Sequence, residues 1–141
     1  MGEVDCAENR HKLQHYLDKL VKWSNLWQMS FNVEKCKVMH FGNNNKEYRY
    51  TTGGKELQTV TEEKDLGVIV SRNLKVSQQC GVAARKGYQI LGLIARSFSS
   101  KKKSIIINLY KTLVRPHLDY CVQAWRPHLQ KDIDVLERVQ R

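Results

Sequence analysis

The sequence predicts an α+β fold: one helix and a set of short antiparallel strands, followed by a bundle of helices. Three observations carry this. Apolar residues recur at three- and four-residue steps in residues 9–27 and again from Asn73 onward. Between those stretches lie short apolar or alternating runs, separated by polar and glycine-rich turns. Charge divides the chain at the same place. Residues 1–71 hold ten Lys/Arg and ten Asp/Glu, whereas residues 72–141 hold fourteen and four, which is the whole net charge of +10. Two regions are therefore expected, 1–71 and 72–141.

The first helix, residues 9–27, places Leu13, Leu17, Leu20, Val21 and Trp27 on one stripe, with Lys12, Lys19 and Lys22 largely off it. Residues 25–30 break the pattern. Residues 31–33 and 37–41 read as short extended pieces, with Asn32-Val33-Glu34 as a turn between them and Lys35 opening the second. Residues 42–46 form a loop by composition. Residues 48–52 and 56–60 flank Gly53-Gly54 and read as a β-hairpin. Residues 61–65 are polar. Leu66-Gly67-Val68-Ile69-Val70 reads as a buried strand.

From Asn73 the period is helical. Val76, Cys80, Ala83, Gly87, Ile90, Leu91, Ile94 and Phe98 form one face of a long helix, and Lys75, Gln79, Arg85, Lys86, Gln89 and Arg96 the other. Residues 97–103 are a basic loop. Residues 104–114 form a second helix with Ile105, Ile106, Leu109 and Leu113 inward, which Pro116 ends or kinks. Residues 117–125 form a third, and Pro127 breaks the chain. Residues 128–141 start a fourth, with Leu129, Ile133, Leu136 and Val139 on one side, and it meets the end of the chain without a capping signal.

At 141 residues the chain is long enough for one ordinary domain or two small sub-domains. Apolar residues make up 41%, which supports a core, and a mean hydropathy of −0.55 favours solubility. No uninterrupted apolar run reaches spanning length, so no transmembrane helix or membrane partner is expected. The polar, acidic N-terminus does not resemble a secretory signal, and an intracellular location, nuclear or cytoplasmic, follows as the expectation. Cys6, Cys36, Cys80 and Cys121 are widely spaced and form no C-x-x-C pair. They read as reduced thiols, mostly buried.

The basic half carries the functional signal. From Leu66 to Leu118 there is no acidic residue, while Arg72, Lys75, Arg85, Lys86, Arg96, Lys101, Lys102, Lys103, Lys111 and Arg115 all fall within that stretch. Solvated faces ordinarily mix signs. A long acid-free stretch points to a polyanion, and the candidate nucleic-acid contacts are Arg72, Lys75, Arg85, Lys86, Arg96, Lys101, Lys102 and Lys103. These bases are spread over several elements and not along one amphipathic helix, which argues against a membrane surface.

Three segments together resemble a known family. Trp27-Gln-Met-Ser-Phe-Asn-Val-Glu-Lys-Cys-Lys-Val-Met-His-Phe-Gly42 resembles motif D of the reverse transcriptases of non-LTR (LINE-type), jockey-like retrotransposons. Leu66-Gly67-Val68-Ile69-Val70 stands where that family has its primer-grip hairpin. Leu109-Tyr110-Lys111-Thr112-Leu113-Val114-Arg115-Pro116-His117-Leu118-Asp119-Tyr120-Cys121 resembles the start of its thumb. The resemblance runs from about Lys12 to Arg141. It implies that residues 1–71 are the C-terminal part of a palm and 72–141 a thumb. It also implies RNA-directed DNA synthesis as the parent activity, two Mg²⁺ ions as the parent cofactor, and an RNA–DNA hybrid or duplex as the partner, with the rest of the polymerase beside it.

The resemblance marks Lys35 as the motif D lysine, a cation for the developing charge near the incoming nucleotide's pyrophosphate, with Lys37 as fallback; a solvent-exposed strand lysine is the plainer reading. It marks Leu66, Gly67 and Val68 as primer-grip residues. A glycine in a strand admits a close backbone, here that of a nucleic acid, and equally marks a bulge or tight packing. Gly87 and Gly92 fit either a helix in a duplex groove or a helix against another helix.

The family's aromatic-Ala-Asp-Asp tetrad is absent: Asp5, Asp18, Asp65, Asp119, Asp132 and Asp134 include no adjacent pair. Two-metal chemistry needs clustered carboxylates, and residues two apart on a helix do not share a face. No metal site and no bound cofactor are therefore expected in this chain. His11 and His15, with Cys6 nearby, are too few for zinc and read as surface histidines. Trp23, Trp27 and Trp125 read as packing anchors and not as base-stacking platforms. The expectation is a piece of a reverse transcriptase, cut after its catalytic aspartates and retaining template–primer binding. A basic binding module reused by its host, or a translated relic without function, are the alternatives.

Overall fold

The structure, a computed structural model, describes residues 7–42, 45–99 and 102–141. It is a mixed α+β chain that divides into two compact units, Met1–Glu63 and Lys64–Arg141.

In the first unit, α1 spans Ala7–Leu26. Its end is a Schellman motif: Met29 N–H donates to Ser24 O at 2.8 Å and Gln28 N–H to Asn25 O at 3.2 Å, around Gln28 at φ 55°. The predicted apolar stripe of α1 is there but is not covered. Leu13, Leu20 and Trp27 are 37%, 50% and 62% exposed, and Ser24 is the buried residue of the helix. Trp23 and Trp27 meet each other in a tilted pair and do not anchor a core.

A 3₁₀ turn, Val33–Lys35, follows, capped by Asn32, whose Oδ1 accepts from Lys35 N–H. Then come β1 (Lys37–Met39), β2 (Thr51–Thr52), β3 (Lys55–Glu56) and β4 (Gln58–Val60). β2 and β3 form an antiparallel hairpin around Gly53 and Gly54, both at positive φ, as a two-residue type I′ turn requires. The hairpin is shorter than predicted, because Leu57 is buried and β4 leaves it to pair in parallel with β1, Lys37 opposite Gln58 and Met39 opposite Val60. The Gln14 amide ties α1 to this region by bonding both backbone groups of Thr51.

β5 (Glu62–Asp65) and β6 (Val68–Ser71) form a further two-stranded sheet, and the division between the units falls inside β5. Leu66 and Gly67 are therefore the turn between strands, with φ of 46° and 87°, and not the start of a strand.

The second unit is built on α2 (Ser77–Ser97). After it come α3 (Lys103–Leu109), a π-helical turn (Tyr110–Val114), α4 (Arg115–Asp119), α5 (Val122–Trp125) and α6 (Gln130–Gln140). Its core is Cys80, Ala83, Ala84, Ile94, Val114, Leu118, Trp125 and Val139. α2 packs chiefly on α6, and also on α4. Gly87 makes these approaches possible: a Cβ there would stand 2.8 Å from Val139 Cγ1 and 3.3 Å from Leu118 Cδ2.

Pro116 does not end the helical path. It lies in the first turn of α4, where its missing N–H costs little. The π turn before it widens the helix, and Arg115 N–H reaches back five residues to Tyr110 O. The single helix predicted over 117–125 is two short ones, because Cys121 adopts φ 51° and breaks the path. Trp125 is buried, as predicted, and its Nε1–H donates to Tyr120 O at 2.8 Å.

Candidate nucleic-acid interface

Helix α2 has a buried face and an outer basic one. Cys80, Ala83, Ala84, Gly87 and Ile94 are buried against the core, while Arg85, Lys86, Gln89 and Arg96 are exposed. At 100° per residue, Arg85, Gln89 and Arg96 lie within about 40° of one another and Lys86 beside them, over a rise of about 16 Å. Among the described residues these three bases form no salt bridge. Their charge is therefore directed at solvent. Exposed Leu93, at 56%, lies within the same face, between Gln89 and Lys86.

Gln79, predicted on this outer face, is instead buried. Its Oε1 accepts the Ile69 N–H of β6 at 3.0 Å, so the side chain completes a strand's hydrogen bonding from the helix. Polarity concealed its inward position, since the partner is a backbone group that no periodicity reveals.

The other bases are placed around this helix. Lys75 is exposed in the β6–α2 connection, where Asn73 Oδ1 accepts from both Lys75 N–H and Ser71 Oγ–H. Arg72 in the same connection is half-buried. Lys102 and Lys103 are exposed at the start of α3. Lys101 lies outside the described residues. Arg115 is engaged with Asp119 at 2.9 Å in an exposed ion pair. Leu66, at 83% exposure, is the tip of the β5–β6 turn, and Val68 opens β6 half-buried.

In the first unit, Lys35 ends the 3₁₀ turn with its side chain exposed, and the strand begins only at Lys37. Lys37 is half-buried and its Nζ donates to Gln58 Oε1 across the β1–β4 pair. Of the two lysines, Lys35 is the more exposed.

Among the described residues, no group of three or more His, Cys, Asp or Glu side chains is arranged to hold a metal ion. Asp132 and Asp134 diverge: Asp132 is buried and accepts from Ser77 Oγ at 2.7 Å, whereas Asp134 accepts from Gln130 Nε2. The Asp132 carboxylate thereby stands at the N-terminus of α2, which has no acidic residue of its own in its first turn. Also among the described residues, no helix is long and apolar enough to cross a membrane. Cys36 and Cys121 are half-buried and Cys80 fully buried, and all three are free thiols.

Sequence comparison adds what geometry cannot. Over 135 residues, 89% of this chain and 14% of the relative, the chain is 33% identical to the RNA-directed DNA polymerase from mobile element jockey of Drosophila funebris. To the protein of the same description from Drosophila melanogaster it is 24% identical over 127 residues, 84% of this chain and 14% of that one. The chain thus spans about one seventh of the length of the curated relatives it matches. No family model matches it, and no solved structure does.

Proposed function

We propose that this chain is part of a jockey-like reverse transcriptase and contacts the template–primer duplex through the outer face of α2. The similarity to the jockey polymerases over most of the chain is the observation that carries the origin. The bases Arg85, Lys86 and Arg96, without a salt bridge among the described residues and held on one face by a helix whose opposite face is core, support the contact. Phosphates are met by such residues with little regard to sequence. Lys102 and Lys103 extend the contact along the backbone. In this reading Lys35 serves the incoming nucleotide's phosphates, Leu66-Gly67-Val68 approaches the primer, and the metal-binding aspartates are supplied by residues other than these.

The test is binding to an RNA–DNA hybrid at several salt concentrations. With about four to six phosphates contacted, log K falls against log salt with a slope of roughly −3.5 to −5.5. Converting Arg85, Lys86 and Arg96 together to Gln flattens that slope by up to about three units. A wild-type slope near zero overturns the proposal and leaves the basic stretch as solvated surface.

A further inference from the structure

We propose that Tyr120 is a positioning residue: it fixes the turn of the β5–β6 hairpin to the helical core and so sets where that turn meets nucleic acid. The nucleic-acid half of this inference rests on the function proposed above; the structural half does not. Tyr120 Oη donates to Leu66 O at 2.9 Å, across 54 residues of sequence. Its ring lies against Gly67, where a Cβ would stand 3.2 Å from Tyr120 Cε1. The glycine is thus accounted for by a tyrosine ring and by its own φ of 87°, without any nucleic-acid backbone.

Tyr120 is itself held. Its carbonyl accepts from the indole of Trp125, which is buried in the core, and Cys121 at φ 51° turns the chain immediately after it. The far side of the hairpin is held by the buried Gln79 through Ile69 N–H. Two side chains, one from α2 and one from the turn after α4, therefore grip one short hairpin at two points, and α2 also carries the exposed bases. Leu66 is left as a projecting tip whose carbonyl is bound and whose side chain is free. A two-stranded hairpin is marginal by itself. Attached in this way, it keeps a fixed position relative to the basic face of α2.

Tyr120→Phe removes the hydroxyl and keeps the ring against Gly67. Amide exchange at Leu66, Gly67 and Val68 is expected to quicken roughly threefold to tenfold, the worth of one net hydrogen bond, with α2 and α6 unchanged. Affinity for an RNA–DNA hybrid is expected to fall by a similar factor at an unchanged salt slope, because no phosphate contact is lost. Unchanged exchange at the turn overturns the positioning role, as does exchange that rises equally in α2 and α6. Local quickening with unaltered hybrid affinity overturns the link to binding. If the exchange responds as expected but the wild-type chain shows no salt-dependent binding, the proposed function fails while the grip on the hairpin stands.

Discussion

Cys80 lies at 0% exposure between α2 and α6, and burial, with the Asp132 charge second, pushes its thiol up from 9.0 to about 11. Between those values the unfolded chain has lost this proton and the folded chain keeps it. The folded state then binds more protons, so stability falls as pH rises through that window and is unaffected below it. Cys80→Ala leaves a small cavity but abolishes this pH dependence. The stability gap between wild type and variant, from urea unfolding, is expected to shrink by about 2 kcal/mol from pH 7 to pH 10.5; a constant gap refutes the assignment. Two of the three glycines of α2, Gly87 and Gly92, make a sharper pair. Gly87→Ala gains about 1 kcal/mol of helix propensity but drives a methyl into Val139, an overpacking cost of roughly 1–3 kcal/mol. At Gly92 the nearest atom to a new Cβ is Arg96 Nη1 at 3.7 Å, so Gly92→Ala should stabilise by up to about 1 kcal/mol. Thermal melts of the two variants should move in opposite directions, and Gly87→Ala moving upward would mean that α6 yields freely. Sequence placed Gly87 on the packing face but could not choose between a groove and a helix, since the choice depends on Val139, 52 residues away.

At the scale of elements, legibility followed period and turn chemistry. The long helices were readable because α2 repeats its apolar residues every three to four positions against a real core. Gly53-Gly54 announced its hairpin, since both residues need positive φ. Leu66-Gly67 hid the same kind of turn, because leucine at φ 46° is not a usual turn residue. β5 was missed altogether: Glu-Glu-Lys-Asp is exposed on every residue and has no alternation. The parallel pairing of β1 with β4 was not legible either, for three-residue strands carry too little pattern to specify a partner. Counting bases pointed to Arg85, Lys86 and Arg96, which are exposed on α2, but not to the inward turn of Gln79 or the pairing of Arg115. A control follows from where α1 spends its charge. Lys12 is bridged to Glu8 at 2.6 Å and Lys19 stands over the Tyr16 ring. Replacing Lys12, Lys19 and Lys22 by Gln should change the salt slope of hybrid binding by less than one third of the effect of the α2 triple variant; equal losses would show that the contact is nonspecific.

Across the whole molecule, buried structure is unevenly shared. Among the described residues, the buried apolar side chains of the first unit are Tyr50 and Leu57, whereas the second holds a contiguous core of eight buried residues. Helix α1 is 20 residues long and turns Leu13, Tyr16, Leu20, Trp23 and Leu26 substantially outward. Most of a helix's stability in a protein comes from packing of its apolar face. What holds α1 among the described residues is chiefly polar, the Gln14 bridge to Thr51 and the cap at Ser24. Local opening should therefore begin there. Native-state hydrogen exchange is expected to show the amides of α1 exchanging at least tenfold faster than those of α2 between Cys80 and Ile94, with α1 opening at denaturant concentrations that leave α2 protected. Addition of an RNA–DNA hybrid should slow exchange in α2 and leave α1 as it was, because the unpaired bases are on α2 while those of α1 are partly engaged by their own helix. Equal protection in the two helices would mean that the exposed leucines of α1 are covered in solution by something the uneven core does not account for, and a hybrid that protects α1 instead would move the nucleic-acid contact to the first unit.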